Sequence, residues 1–366
     1  MLTTIPSRIL RTFRRAVSTA SAGAGAFGFL RNSDWRRRKL LILCYHGVSL
    51  LDEHDWDPTL FIPAHFFCRR LEIIRRSGYT VLPLGEALRR LHSGTLDGPA
   101  VAITFDDGTF DFYDRAWPVL SEFNYPATVY VTTYYSLCNR PVFNPALSYL
   151  LWKSGLLWKS GRTLSLDGLT GENISFDLGD ETQRFKAQRR IMDHVQKRDF
   201  TGAQKDVFLQ QVAAGAGADF DDLLRRRILH IMAPEEIAQV SAAGADVQLH
   251  THRHRTPSEK NAFASEIIEN RELLEKLTGK STTHFCYPSG VHNKQMAAWM
   301  RELGVESGVT CNPGLADKGD DFMLLPRLVD TGYLTEAEFE SFLCGFGFPL
   351  IVRRTHGELE VSADPA

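Results

Sequence analysis

An α/β fold of parallel strands joined by crossover helices is the class this sequence predicts, on three observations. From Lys39 onward, short apolar or β-branched runs alternate with segments of helical period. Titratable residues stand just past the ends of several of these runs, as they do where strands deliver side chains to one rim of a sheet. The chain also has 366 residues and 43% hydrophobic composition, enough for one large core or two smaller ones.

The elements follow in order. Residues 1–38 form a basic amino-terminal arm, read as flexible or lying on the surface; residues 8–39 carry eight arginines and one lysine. Within it, Ala16 to Leu30 is too short and too weakly apolar to span a bilayer. The predicted strands are Leu40 to Cys44, Val101 to Phe105, Ala127 to Thr132, Val247 to Leu249, Phe285 to Tyr287, Ser307 to Thr310 and Met323 to Leu328. Helical faces are marked by Phe67, Leu71 and Ile74, by Phe112, Ala116 and Val119 with Pro118 as a flaw, and by Phe263, Ile267, Leu274 and Leu277 after a start near Ser258. Thr335 and Glu338 form a capping box ahead of Phe339, Phe342 and Leu343. Residues 39–345 make up the main domain, and 346–366 a carboxyl-terminal tail.

One stretch breaks the rhythm. Residues 134–235, before the histidine-bearing strand, are far too long for one crossover helix and read as an insertion. It has an apolar aromatic start, a hairpin-like middle from Thr163 to Leu178 and a charged helical end. Such an insertion either decorates the functional rim or serves structure and assembly. Trp56, Trp152 and Trp158 could stack on sugar rings, or belong to the core.

A net charge of -2 and a pI near 6.6 give no reason to expect nucleic acid as a partner. The six cysteines are scattered without a C-x-x-C pair and read as reduced and structural, which favours a reducing compartment. The localisation expected is cytoplasmic or peripheral to the inner membrane, with membrane contact through the basic arm. The pair Arg14-Arg15 leaves twin-arginine export open, although a strongly apolar region and a clear cleavage site are missing.

Chemistry concentrates at the predicted strand ends. His46 follows Leu-Ile-Leu-Cys-Tyr, Asp106 and Asp107 follow Ala-Ile-Thr-Phe, and His250 and His254 follow Val-Gln-Leu. Two imidazoles and a carboxylate suit Zn²⁺ best, with Co²⁺, Ni²⁺, Mn²⁺ or Fe²⁺ as substitutes, and leave coordination positions open for water. Adjacent aspartates diverge, so one can ligate while its neighbour acts as base. Each feature has an alternative: Asp-Asp-Gly can be a helix-capping turn, His46 a core histidine, and His252 can replace either neighbouring imidazole. His92, His194, His230 and His292 read as surface residues.

Thr104-Phe105-Asp106-Asp107-Gly108 and His250-Thr251-His252-Arg253-His254 resemble the first two motifs of the polysaccharide deacetylases, the carbohydrate esterase family 4 or NodB-homology group. The likeness runs from about Leu40 to Phe342, without most of the insertion. It implies a deformed (β/α) barrel of about seven parallel strands, with Asp106 as general base and Asp107, His250 and His254 as metal ligands. Cys286-Tyr287-Pro288-Ser289-Gly290 resembles the third motif, implying that the Tyr287 N–H stabilises the oxyanion and that Pro288 and Gly290 face the substrate. That motif's usual arginine is absent; Arg327, in Leu-Leu-Pro-Arg, is expected to hold Asp106 instead. The family's late histidine is missing too. Cys44-Tyr45-His46-Gly47-Val48 is similar to the permuted arrangement of biofilm poly-N-acetylglucosamine deacetylases, in which His46 becomes the general acid.

The expected activity is metal-dependent removal of N-acetyl groups from an acetamido-sugar glycan by metal-activated water. The rivals are an O-acetyl esterase, a small-molecule amidohydrolase, and a non-catalytic carbohydrate-binding relative.

Overall fold

The computed structural model describes residues 7–23, 25–157 and 163–350. Trp158 and most of the carboxyl-terminal tail lie outside the described residues. Seven parallel strands, numbered here in chain order round a barrel, pair successively and close on themselves: β1 (Leu40–Tyr45), β2 (Ala100–Phe105), β3 (Ala127–Val131), β4 (Asp246–Leu249), β5 (His284–Cys286), β6 (Ser307–Pro313) and β7 (Leu325–Val329). Closure runs through β1, which pairs with β2 from Leu40↔Ala100 to Tyr45↔Phe105 and with β7 at Leu43↔Leu328. The expected deformed (β/α) barrel is what forms.

Period-two alternation builds two apolar layers from each strand. Leu40, Ile42, Ala100, Ala102, Tyr130, Cys286, Val309 and Leu325 gather inside the barrel with Leu84, Leu88 and Leu91 of the helix Leu84–Ser93. Leu41, Leu43, Val101, Ile103, Val129 and Leu249 face outward against Phe67, Leu71 and Ile74 of the helix Ala64–Arg76 and Phe263 and Ile267 of Lys260–Thr278. The flaw at Pro118 is absorbed by a π-helical turn, Phe112–Ala116, after which Pro118 sits in the first turn of Trp117–Phe123, where a missing N–H breaks no hydrogen bond.

The insertion is a helical layer with its own apolar cluster. Leu147, Leu150 and Leu151 of the helix Phe143–Leu157 pack with Ile191 of Glu181–Lys197 and with Phe208, Leu209 and Val212 of Gly202–Ala216. Its predicted hairpin is present as Thr163–Ser165 paired antiparallel with Ser175–Asp177.

Of the two readings of the amino-terminal arm, flexible or lying on the surface, the described residues take the second. Ser7–Gly23 is a helix lying against Glu336–Leu343. Arg14 Nε donates to Glu338 Oε1 at 2.7 Å, and buried Ser18 donates to Ser341 Oγ at 3.4 Å. Glu338 is buried and also accepts from the Thr335 N–H, completing the capping box, so this carboxylate ties the middle of the first helix to the start of the second. Among the described residues no helix is long and apolar enough to cross a membrane. The six cysteines are unpaired.

Candidate active site

The β2 strand ends at Phe105, and the Asp106 N–H still donates to the Tyr45 carbonyl of β1 at 2.9 Å, so Asp106 inherits the strand's inward direction. Asp107 then turns the chain with φ 68°, and Gly108 follows at φ 75°. Gly108 has no substitute here: a Cβ would come within 2.8 Å of the Val131 side chain. The consequence is that the neighbouring carboxylates point to different tasks.

Asp106 is buried inside the barrel against Arg327, a β7 residue that is fully enclosed. Both terminal guanidinium nitrogens donate to it, Nη1 to Oδ1 and Nη2 to Oδ2, each at 2.7 Å. Arg327 Nε donates to the Thr310 carbonyl at 2.8 Å, which fixes the fork. Burial pushes the Asp106 carboxyl up, but the Arg327 charge and hydrogen bonds, with His46 and His250, outweigh it and hold it well below the usual carboxylate range. His46 Nε2 lies 3.8 Å from Asp106 Oδ2, and its buried Nδ1 has no partner among the described residues. Asp111, silent in the sequence, braces this corner: its Oδ1 accepts the Val48 N–H at 2.8 Å, and burial pushes its carboxyl up to about 7.

Asp107 faces the histidine loop. His250 Nε2 lies 3.0 Å and His254 Nε2 3.1 Å from its Oδ1, and the ligand atoms of all three fall within 4.8 Å of one another. Burial would raise the Asp107 carboxyl, yet His254 and His250 hold it well below its ordinary range; the same contact raises His254 against the opposing effect of burial. His250 Nδ1 meets the Cys286 carbonyl at 2.8 Å, so the proton of a neutral ring belongs on Nδ1. Its Nε2 lone pair then faces a carboxylate oxygen, acceptor against acceptor. A bound cation relieves that opposition, and two imidazoles with one carboxylate are an N/O donor set fitting a borderline divalent ion.

Supports for this loop come from one helix. Asn270, on the apolar face of Lys260–Thr278, accepts the His250 N–H at 2.9 Å and donates to the Val131 carbonyl at 2.9 Å. Glu266, one turn earlier and buried, accepts the Arg253 N–H at 2.7 Å and Arg255 Nε at 2.9 Å. His252 is turned away from the cluster, with Nδ1 2.8 Å from Thr133 Oγ1 and Nε2 3.4 Å from Glu269, so it does not replace His250 or His254.

His46, Asp107, His254 and Ser289 line a cavity of about 340 Å³. The insertion reaches it through Asn144 and Pro145. The third-motif segment differs from expectation. The Tyr287 N–H donates along the ladder to the Val309 carbonyl at 3.3 Å, and the Gly290 N–H closes the turn onto the Tyr287 carbonyl at 2.9 Å. Pro288 has no N–H and is buried. Ser289, at φ 54°, is the residue of this turn facing the cavity. His230, expected at the surface, is buried beside that wall, with Nδ1 3.0 Å from the Ile228 carbonyl; burial lowers its pKa to about 4.

Comparison with known proteins agrees with this geometry. The polysaccharide deacetylase family model matches residues 93–157 and 173–308, together more than half of the chain. The protein YxkH of Bacillus subtilis (strain 168), whose name places it among the polysaccharide deacetylases, is 23% identical over 311 residues, covering 83% of this chain and 76% of that protein. A poly-beta-1,6-N-acetyl-D-glucosamine N-deacetylase of Escherichia coli (strain K12) is 28% identical over 100 residues, which span 27% of this chain and only 14% of that protein. Among solved structures, the Streptococcus pyogenes deacetylase PplD shares the fold with TM-score 0.53 at 18% identity, over 84% of this chain and 98% of that one. IcaB from Ammonifex degensii aligns with TM-score 0.50 at 17% identity, over 85% and 97% of the respective chains. Motifs at the strand ends of a closed parallel barrel and a family match spanning both therefore agree: the chain belongs to the polysaccharide deacetylase family and is an enzyme of that type.

Proposed function

We propose that this deacetylase removes the N-acetyl group of an acetamido-sugar unit in a glycan, with a divalent cation, Zn²⁺ by preference, held by Asp107, His250 and His254. The observation carrying the reading is the division of labour between adjacent carboxylates: Asp107 faces two imidazoles, while Asp106 is clamped by Arg327. Similarity to the Escherichia coli N-deacetylase supports the choice of an N-acetyl substrate. When bound, the cation supplies Lewis-acid polarisation of the acetyl carbonyl and a lowered pKa for water.

The chain's own residues do the rest. Asp106, kept ionised by Arg327, accepts the proton of the attacking water as its oxygen bonds to the acetyl carbon. Ser289 presents the third-motif turn to the developing oxyanion, in place of the Tyr287 amide, which the ladder engages. His46 delivers a proton to the nitrogen as the C–N bond breaks, because an amine leaves poorly until protonated. Acetate and a glucosamine-type unit result.

An acetate-release screen across N-acetylglucosamine oligomers and O-acetylated glycans tests this. Turnover of the N-acetyl substrates, abolished by a chelator and restored by Zn²⁺, is the expected result. Release from O-acetyl esters alone, or activity indifferent to chelation, would overturn it.

A further inference from the structure

We propose that the insertion, together with Trp56 and Asp57, forms a second sugar-binding site beside the catalytic cavity that holds another unit of the same glycan chain; the glycan as ligand rests on the N-deacetylase reading above. The site is a cavity of about 460 Å³ whose wall includes Trp56, Asp57, Trp152, Glu181, Phe185 and Gln188. It combines aromatic faces with acids and an amide, the pairing that suits a sugar ring, whose C–H face packs on an aromatic plane while its hydroxyls take polar partners. Phe185 is 66% exposed and serves no core. A phenylalanine left in water beside two tryptophans has an apolar surface ready to be covered.

The two cavities have no lining residue in common, and their walls adjoin in three places. The helix Phe143–Leu157 gives Asn144 and Pro145 to the catalytic wall and Ser148 and Trp152 to the second cavity. Spacings of four and eight residues keep Asn144, Ser148 and Trp152 on one face, so the path from first to last is about 12 Å along the axis. Gln188 of the second cavity donates to Asn144 Oδ1 at 2.8 Å. The Trp56 ring lies 6.0 Å from that of Phe61, which lines the catalytic cavity. In this proposal a chain seated with one unit at His46 and Asp107 passes over the outer side of this face toward Trp152.

Phe185→Ala and Trp152→Ala, made in the full chain, test the site. Phe185 is the exposed member, so its removal leaves the fold intact. Acetate release is measured on the shortest N-acetylglucosamine substrate accepted and on a hexamer, and hexamer binding is followed by intrinsic tryptophan fluorescence. The expected result is a rise in KM of about tenfold for the hexamer, from loss of an aromatic contact, with kcat and the shortest substrate unaffected. Unchanged hexamer kinetics in both variants would overturn the proposal, as would an equal loss on both lengths in Phe185→Ala. Should the wild-type protein release no acetate from any N-acetyl sugar, the N-deacetylase reading fails by itself. The fluorescence titration then decides: hexamer binding weakened by Phe185→Ala supports the site, and no binding by the wild type overturns it.

Discussion

Asp106→Asn is expected to lower kcat by about 10²- to 10⁴-fold, the range for loss of a positioned general base, with KM little changed. The amide cannot take a proton from water, yet its oxygen can still accept from Arg327, which now donates at 2.7 Å to both carboxylate oxygens. The buried guanidinium loses its counter-charge, so a lower unfolding temperature should accompany the kinetic loss, and assays belong well below it. Steady-state acetate release with circular dichroism on the same sample checks the point. A kcat within a few-fold of wild type would remove Asp106 from the base role.

Arg327→Met is expected to destabilise the protein by about 3–5 kcal/mol near neutral pH, because it leaves a buried carboxylate unpaired. Arg327 is fully enclosed and Asp106 is 3% exposed, so bulk solvent offers the carboxylate little compensation for the lost partner. The effect carries a pH signature. In the wild-type protein the Asp106 carboxyl is held below its unfolded value; its contribution is present above the unfolded pKa and lost as pH falls through the folded one. With Arg327 gone, burial, the largest opposing influence, dominates and raises the folded pKa above the unfolded value near 4. The variant therefore loses stability as pH rises from the unfolded pKa through that raised value. Urea unfolding of both proteins at a series of pH values should show the gap narrowing toward acid and widening toward neutrality. A gap independent of pH would mean that Arg327 acts through packing alone.

The strands were legible because a buried parallel strand is apolar on both faces. Ala-Val-Ala-Ile-Thr-Phe and Leu-Leu-Ile-Leu-Cys-Tyr are fully buried runs, and observed bounds differ from the expected ones by at most three residues. Placement of the titratable groups at one rim followed, since each lies just past such a run. What the sequence hid are contacts between remote segments. Asn270 looks like a polar interruption of the Phe263, Ile267, Leu274 face, and only the fold shows it gripping the His250 N–H. An asparagine on an apolar helical stripe was the available signal. His252 has the same spacing as its neighbours' neighbours, but Thr133 and Glu269 on adjoining elements turn it away. At the third motif, the Tyr287 amide belongs to the ladder because β5 runs beside β6 in register Cys286↔Val309, a pairing that local residues do not encode. The amino-terminal helix escaped detection for the same reason: its anchor, Glu338, lies more than three hundred residues away.

In the proposed mechanism Asp107, His250 and His254 hold a divalent cation while Asp106 beside them does not. Metal analysis of Zn²⁺-equilibrated protein tests it most directly, comparing wild type with Asp106→Asn and His250→Ala. About one ion per chain is expected in wild type and Asp106→Asn, and its loss in His250→Ala, because an imidazole ligand has been removed. Equal retention in all three, or equal loss in both variants, would contradict it.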